Sequence, residues 1–325
     1  MLSEGRISMR LLALPSSLGV GRSPRGLFLV PLVLLLLGGC STEAPGDPAP
    51  AAGGTGGRPV VITTIEANRY LATRLAGELC EVRMPIPEDA DPLHWTPSRE
   101  GVAALQAASL VVLNGAGLET WLDQVTLAPS RTVTLADAYR GQWLTFDEAV
   151  EHQHGPDGDH SHAGVDPHVW FDPQLLKLHV DRMQAALRDL LPEHGDAFAA
   201  RAAELHADLE SLDEAFEAVE GLPPLLANHP AYDYGAHRYD WEILNFDIDP
   251  EEVPAPELVE AVVETGRSIL LWESRPIGAV AAAFEARGIR CIVLSACEHP
   301  PEEGDWLSVM RENARILGSL GAAPR

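Results

Sequence analysis

Basic side chains are scarce: 23 Lys and Arg stand against 48 Asp and Glu in 325 residues, a formal charge of −25. Such a chain lacks the positive surface that neutralises phosphates, which excludes nucleic acid as a partner and favours cations and solubility. Long apolar runs are also missing. Leu27 to Leu37 covers eleven residues, too few for a bilayer-spanning helix, so this stretch is an export signal and not a spanning anchor. There is no His-Glu-x-x-His segment, the helical signature of zinc peptidases. Cysteine occurs only four times.

The apolar run has basic residues before it (Arg6, Arg10, Arg22, Arg25) and small residues after it, ending in Leu37-Gly38-Gly39-Cys40. That ending resembles the lipobox of bacterial lipoproteins, which implies removal of residues 1–39 and lipidation of Cys40. Residues 40–58, rich in Ala, Pro and Gly, follow as a flexible tether. Removing the leader takes away four basic and one acidic side chain, leaving 19 against 47 and a charge of −28. The remaining Cys80, Cys291 and Cys297 would sit in an oxidising compartment, where one disulfide and one free thiol are possible. Their pairing is left open.

The most constrained segment is Val165-Asp166-Pro167-His168-Val169-Trp170-Phe171-Asp172-Pro173. Proline locks its own φ and pushes the residue before it to an extended conformation, so a histidine between two Asp-Pro steps is held as a ligand would be. Before it, residues 151–163 carry His152, His154, His160 and His162 among Asp and Gly. This run has neither helical nor strand period and is expected as a mobile loop with loose, exchangeable metal contacts.

Elsewhere, short apolar runs alternate with amphipathic segments. Strands are expected near 59–65, 79–84, 110–113 and 132–135, with helices at 66–77, 97–108 and 116–123. A second series has strands at 225–227, 241–246, 269–272 and 292–294. The alternation predicts an α/β fold with mainly parallel sheets. Between the series, Phe198, Ala202, Leu205, Leu209, Leu212 and Phe216 fall three or four apart, which predicts one long helix with a continuous apolar face. His229 and Glu273 follow predicted strands, at the carboxyl ends where open α/β sheets bind ligands.

The order of a lipobox, Asp91-Pro92 with an aromatic residue and Pro97 after it, Asn114-Gly-Ala-Gly-Leu-Glu119, a His-rich loop, Asp166-Pro-His-Val-Trp-Phe-Asp-Pro173, His229-Pro230-Ala231-Tyr232 and Trp272-Glu273-Ser274-Arg275-Pro276 resembles the zinc and manganese solute-binding proteins of ABC importers. The resemblance implies two β/α lobes joined by the long helix, with residues 59–194 as the N-terminal lobe, 195–220 as the bridge and 221–325 as the C-terminal lobe. It implies a metal held between the lobes by His168, His229 and Glu273. His94 stands one residue beyond the family's first histidine position and Ser295 where the family has an aspartate, so the fourth ligand is left among His94, water and Cys297, with His94 preferred. Imidazoles with one carboxylate suit zinc better than manganese. The implied partners are a permease and an ATPase, with a monomeric chain exported and lipid-anchored in the periplasm or cell envelope. Two rival readings remain, a zinc hydrolase and a metal-buffering or adhesive surface lipoprotein. The other histidines, at 179, 194, 206, 237 and 299, are expected as surface or satisfied structural residues.

Overall fold

The computed structural model describes residues 57–88, 90–145, 150–153, 159–162 and 164–321, with backbone alone for 150–153 and 159–162. Cys40 and His154 lie outside the described residues. The chain starts as β1 (Val60–Thr63), α1 (Glu66–Ala76), β2 (Glu81–Arg83), α2 (Arg99–Ala107), β3 (Leu110–Leu113) and β4 (Thr132–Thr134). These strands form an all-parallel sheet in the order β2-β1-β3-β4. All four residues of β3 are buried, as expected for a parallel strand covered on both faces.

The helix expected over 116–123 is mostly a tight loop. Gly115, Ala116 and Gly117 all have positive φ, and only Thr120–Asp123 turns as a 3-10 helix. The cause is Glu119, whose buried carboxylate accepts the N–H groups of Asn114 at 2.7 Å and Gly115 at 2.9 Å and the Thr64 hydroxyl at 2.6 Å. Folding the backbone around that anion requires the left-handed conformations glycine permits. A Cβ on Gly115 would also meet Thr134 Cγ2 at 2.5 Å.

The histidine-rich segment differs from expectation too. Its backbone pairs as an antiparallel hairpin of β5 (Val150–Gln153) and β6 (Asp159–His162), with His152 opposite His160. A two-strand ladder is made by backbone groups and does not need an alternating apolar face, so hydrophobic periodicity was the wrong signal for it.

After the segment 164–172 come α3 (Pro173–Leu190) and α4 (Gly195–Glu217). Asp172 caps α3 by accepting the N–H groups of Gln174 (2.8 Å) and Leu175 (3.3 Å), with Pro173 in the first turn, so the second Asp-Pro step is a helix start. All six apolar residues of the stripe from Phe198 to Phe216 are buried. The 23 residues of α4 extend about 35 Å and lead into a second series. It comprises β7 (Leu225–Ala227), α5 (Asp233–Tyr239), β8 (Ile243–Asn245), α6 (Pro256–Glu264), β9 (Ile269–Trp272), α7 (Gly278–Glu285), β10 (Arg290–Val293) and α8 (Trp306–Gly321). Its sheet is again all parallel, ordered β10-β9-β7-β8.

The final helix does not stay with the second sheet. Helix α8 packs on α4 and α1, and Trp306 is fully buried with its ring 5.7 Å from that of Tyr70. The lobe drawn over 221–325 therefore includes a helix that returns to the first lobe. Amphipathic periodicity shows that α8 has an apolar face but not which partner covers it. The largest core cluster runs without a break from α1 through α3, α4 and α8 to Leu225, Ala227 and Leu271 of the second sheet.

Candidate metal centre

His168 is held from two sides. The Asp166 carboxylate accepts its backbone N–H at 2.9 Å and its ring Nδ1 at 2.7 Å, which fixes the ring so that Nε2 is the nitrogen it can offer to a metal. Behind it, Pro167 O accepts from Asn114 Nδ2 at 3.1 Å, and Asn114 Oδ1 accepts from Asn68 Nδ2 at 3.2 Å. Asn68 Oδ1 is 2.9 Å from His179 Nδ1, and His179 Nε2 is 2.6 Å from the Tyr139 hydroxyl. His179 is fully buried, and burial, then the nearby Arg182, drives its pKa down to about 3. It is a neutral structural histidine that backs the Pro167-His168 segment through Asn68 and Asn114.

His229 and Glu273 sit just past β7 and β9, bridged by the buried Asn228. Asn228 Oδ1 accepts the Glu273 N–H at 3.0 Å, while its Nδ2 donates to Ile248 O at 3.1 Å and Glu273 Oε1 at 3.4 Å. The rings of His168 and His229 stand edge to face, centroids 5.0 Å apart. Both, with Glu273, line an inner cavity of about 50 Å³ that also takes in Asp91, Leu93, Leu118 and Glu298. A wider cleft of about 1110 Å³ adjoins it, shares Asp91, Glu273 and Glu298, and is lined further by His94, Asp249, Glu251, Arg275, His299 and Glu302.

Three of the four expected ligands thus meet in the inner cavity, and His94 lines the outer cleft. Its Nδ1 is 2.6 Å from Asp91 Oδ2, the same carboxylate-imidazole arrangement that orients His168. Ser295 Oγ accepts the Cys297 N–H at 3.1 Å. Cys80, Cys291 and Cys297 are all free thiols. Burial, then the charges of Glu66 and Glu298, pushes the Cys297 thiol up to about 12. Sequence reasoning missed Asp91 and Glu298. Asp91 had a signal, since it lies three residues before His94 as Asp166 lies two before His168; Glu298 had none.

The charges in the cavity are unbalanced. Burial pushes Glu298 up to about 8 and Glu273 up to about 7, with Asp91 adding repulsion to each. Burial alone would lower His168, but Asp166, then Glu298 and Glu273, hold it up to about 9. Burial would raise Asp91, but its hydrogen bond with His94 holds it well below the usual carboxylate range. Carboxylates crowded this way favour a bound cation. As they stand, no three His, Cys, Asp or Glu side chains among the described residues converge closely enough to hold an ion.

Two all-parallel sheets with covering helices, and His168, His229 and Glu273 lining one cavity, define a two-lobed α/β fold. The family model described as "Zinc-uptake complex component A periplasmic" matches residues 61–319, and the chain belongs to that family. It is 27% identical over 314 residues to the zinc-binding lipoprotein AdcA of Streptococcus pneumoniae, covering 90% of this chain and 60% of AdcA. It is 24% identical to the high-affinity zinc uptake system protein ZnuA of Bacillus subtilis, covering 90% of this chain and 96% of that one. The chain thus spans less than two thirds of the length of AdcA. Among solved structures, the Zn(II)-bound ZnuA-like domain of AdcA aligns with a TM-score of 0.68 at 22% identity, over 82% of this chain and all of that domain. The periplasmic zinc-binding protein TroA of Treponema pallidum gives 0.68 at 23% identity, with the same coverage.

Proposed function

We propose that this protein is an extracytoplasmic solute-binding lipoprotein that captures zinc and delivers it to the permease and ATPase of an ABC importer. The observation that carries the reading is the meeting of His168, His229 and Glu273 in one buried cavity, each from a different loop. Two imidazoles and a carboxylate, completed by His94 or water, suit a four-coordinate borderline-soft ion, with manganese the less favoured cargo. The family is one of solute-binding proteins and not of enzymes, which sets the hydrolase reading aside. In this reading residues 59–194 with the final helix form one lobe, α4 the bridge and the rest of 221–325 the other.

The test is titration calorimetry of the metal-stripped chain with zinc. One saturable tight site is expected, and its absence would refute the reading.

Two further expectations concern parts outside the cavity. Deleting residues 151–163 should leave the tight site within about threefold while removing additional weak zinc binding; a large loss at the tight site would make the hairpin part of the main centre. The serine variant Cys40→Ser should move the protein from the membrane fraction into the soluble exported fraction, or leave it unprocessed. A wild type that is already soluble would remove the anchor.

A further inference from the structure

We propose that Tyr234, on the helix that follows His229, is a positioning residue for His168. Its hydroxyl completes the strand pairing that carries Asp166 and so locks the two imidazoles into one preassembled pair. This rests on the metal-binding reading above.

The first observation is a hydroxyl standing inside a backbone ladder. Residues 144–145 and 165–166 pair antiparallel, with Thr145 opposite Val165 and the Asp166 N–H donating to Leu144 O at 2.9 Å. In a regular antiparallel pair the reciprocal bond, from the Leu144 N–H to Asp166 O, would close directly. Here the Tyr234 hydroxyl takes that place, accepting the Leu144 N–H at 3.1 Å and donating to Asp166 O at 3.1 Å. A phenol can do both at once. Leu144, Asp166 and Tyr234 are all buried, so both backbone groups depend on this hydroxyl for their partner. Asp166 Oδ1 in turn holds the N–H and the ring Nδ1 of His168. A displacement of Asp166 therefore carries the imidazole with it.

The second observation is how the helix bearing Tyr234 lies against the His168 segment. The rings of Phe171 and Tyr232 meet edge to face, centroids 5.1 Å apart. A Cβ on Gly235 would stand 3.3 Å from Phe171 O and 2.9 Å from Trp241 Cζ3, an approach that glycine permits. At the far end of α5, Arg238 Nε is 3.6 Å from Asp172 Oδ1 while the same guanidinium grips Asp213 of α4. Three residues separate His229 from α5, and the Ala231 N–H donates to His229 O at 2.8 Å. One helix thus places both histidines, although they lie on either side of α4 in the chain. Their ring centroids are 5.0 Å apart before any ion arrives. Ligands fixed in advance spare the ion the cost of ordering them.

The experiment is a zinc titration of the purified full chain, metal-stripped, for wild type, Tyr234→Phe and Tyr239→Phe. Tyr239 is a matched control on the same helix, its hydroxyl donating to Asp213 Oδ1 at 2.6 Å and so tying α5 to α4. Losing an outer-shell partner costs about 10–100-fold in metal affinity. Tyr234→Phe is expected to show that loss, and Tyr239→Phe to stay within about threefold. A loss of stability alone would not alter the ligand geometry, so the cobalt(II)-loaded chains are compared by visible absorption. The bands should shift in Tyr234→Phe and keep their wild-type positions in Tyr239→Phe. Equal zinc losses in the two variants, or a wild-type cobalt spectrum in Tyr234→Phe, would overturn the assignment. Amide exchange in the wild type decides even if Tyr234→Phe does not fold: zinc should slow the Leu144 N–H at least tenfold, and an unchanged rate would equally overturn it. A wild type that binds no zinc would bring down the metal-binding reading and this inference with it.

Discussion

Replacing His229 by alanine is expected to weaken zinc binding by more than a hundredfold, and Glu273→Ala to do the same, with little change in the melting temperature of the metal-free chain. His229 emerges directly from β7, beside the buried Asn228 whose side chain ties Glu273 and Ile248 into one frame. Removing the imidazole leaves that frame intact, because the backbone bond from Ala231 N–H to His229 O (2.8 Å) does not involve the ring. What is lost is one of the two imidazoles lining a cavity of about 50 Å³. Glu273→Ala removes the carboxylate and leaves Asn228 Nδ2 its bond to Ile248 O. Since an outer-shell partner alone is worth about 10–100-fold, a direct ligand should exceed that range. Calorimetry of both variants with zinc measures it, and affinities within threefold of wild type would remove these residues from the centre.

The sequence was most legible where one local rule dominates. Alternating apolar runs foretold two parallel sheets, and the stripe from Phe198 to Phe216 foretold α4 with its buried face intact. His168, His229 and Glu273, which line one cavity, stood out because Asp-Pro steps and strand ends restrict where a side chain can be presented. The failures share a different cause. Glu298 reaches the cavity only because Cys297 turns left-handed under tethers from Trp170, Glu66 and Asn313, residues far away in sequence. Helix α8 announces an apolar face, but its choice of α1 and α4 depends on the whole fold. The segment 116–123 was taken for a helix because its composition allows one, whereas Glu119 draws the backbone N–H groups around its own carboxylate.

The two lobes are also less independent than a bridging helix alone would suggest. Asp213 on α4 accepts Arg238 Nε and Nη2, each at 2.6 Å, the Tyr239 hydroxyl at 2.6 Å and Gln174 Nε2 at 2.7 Å, joining α3, α4 and α5. With α8 crossing back and one core cluster running through both sheets, large hinge opening would break apolar packing. Small shear at the cleft, of the size needed to close donors onto an ion, is the motion this packing permits.

Zinc binding is accordingly expected to depend on pH more than on large movement, tightening steeply from pH 6 to pH 9. Glu273 is held up to about 7, Glu298 up to about 8 and His168 up to about 9, so at pH 6 the metal-free cavity holds protons on all three. Zinc needs their lone pairs and must expel those protons, and each one released adds about tenfold in affinity per pH unit. The three groups titrate as a set, so the count at pH 7 should lie between about one and three. The stability of the metal-free chain runs the opposite way. A raised folded pKa contributes stability that is complete below the group's ordinary value, 4.5 for the glutamates and 6.5 for His168, and is lost as pH rises through about 7, 8 and 9. The metal-free melting temperature should therefore fall between pH 5 and pH 9 while the increment conferred by zinc grows. Calorimetry at pH 7 in two buffers of different ionisation enthalpy counts the protons directly. A count of zero, or an affinity that is flat from pH 6 to pH 9, would show that these groups do not face the ion.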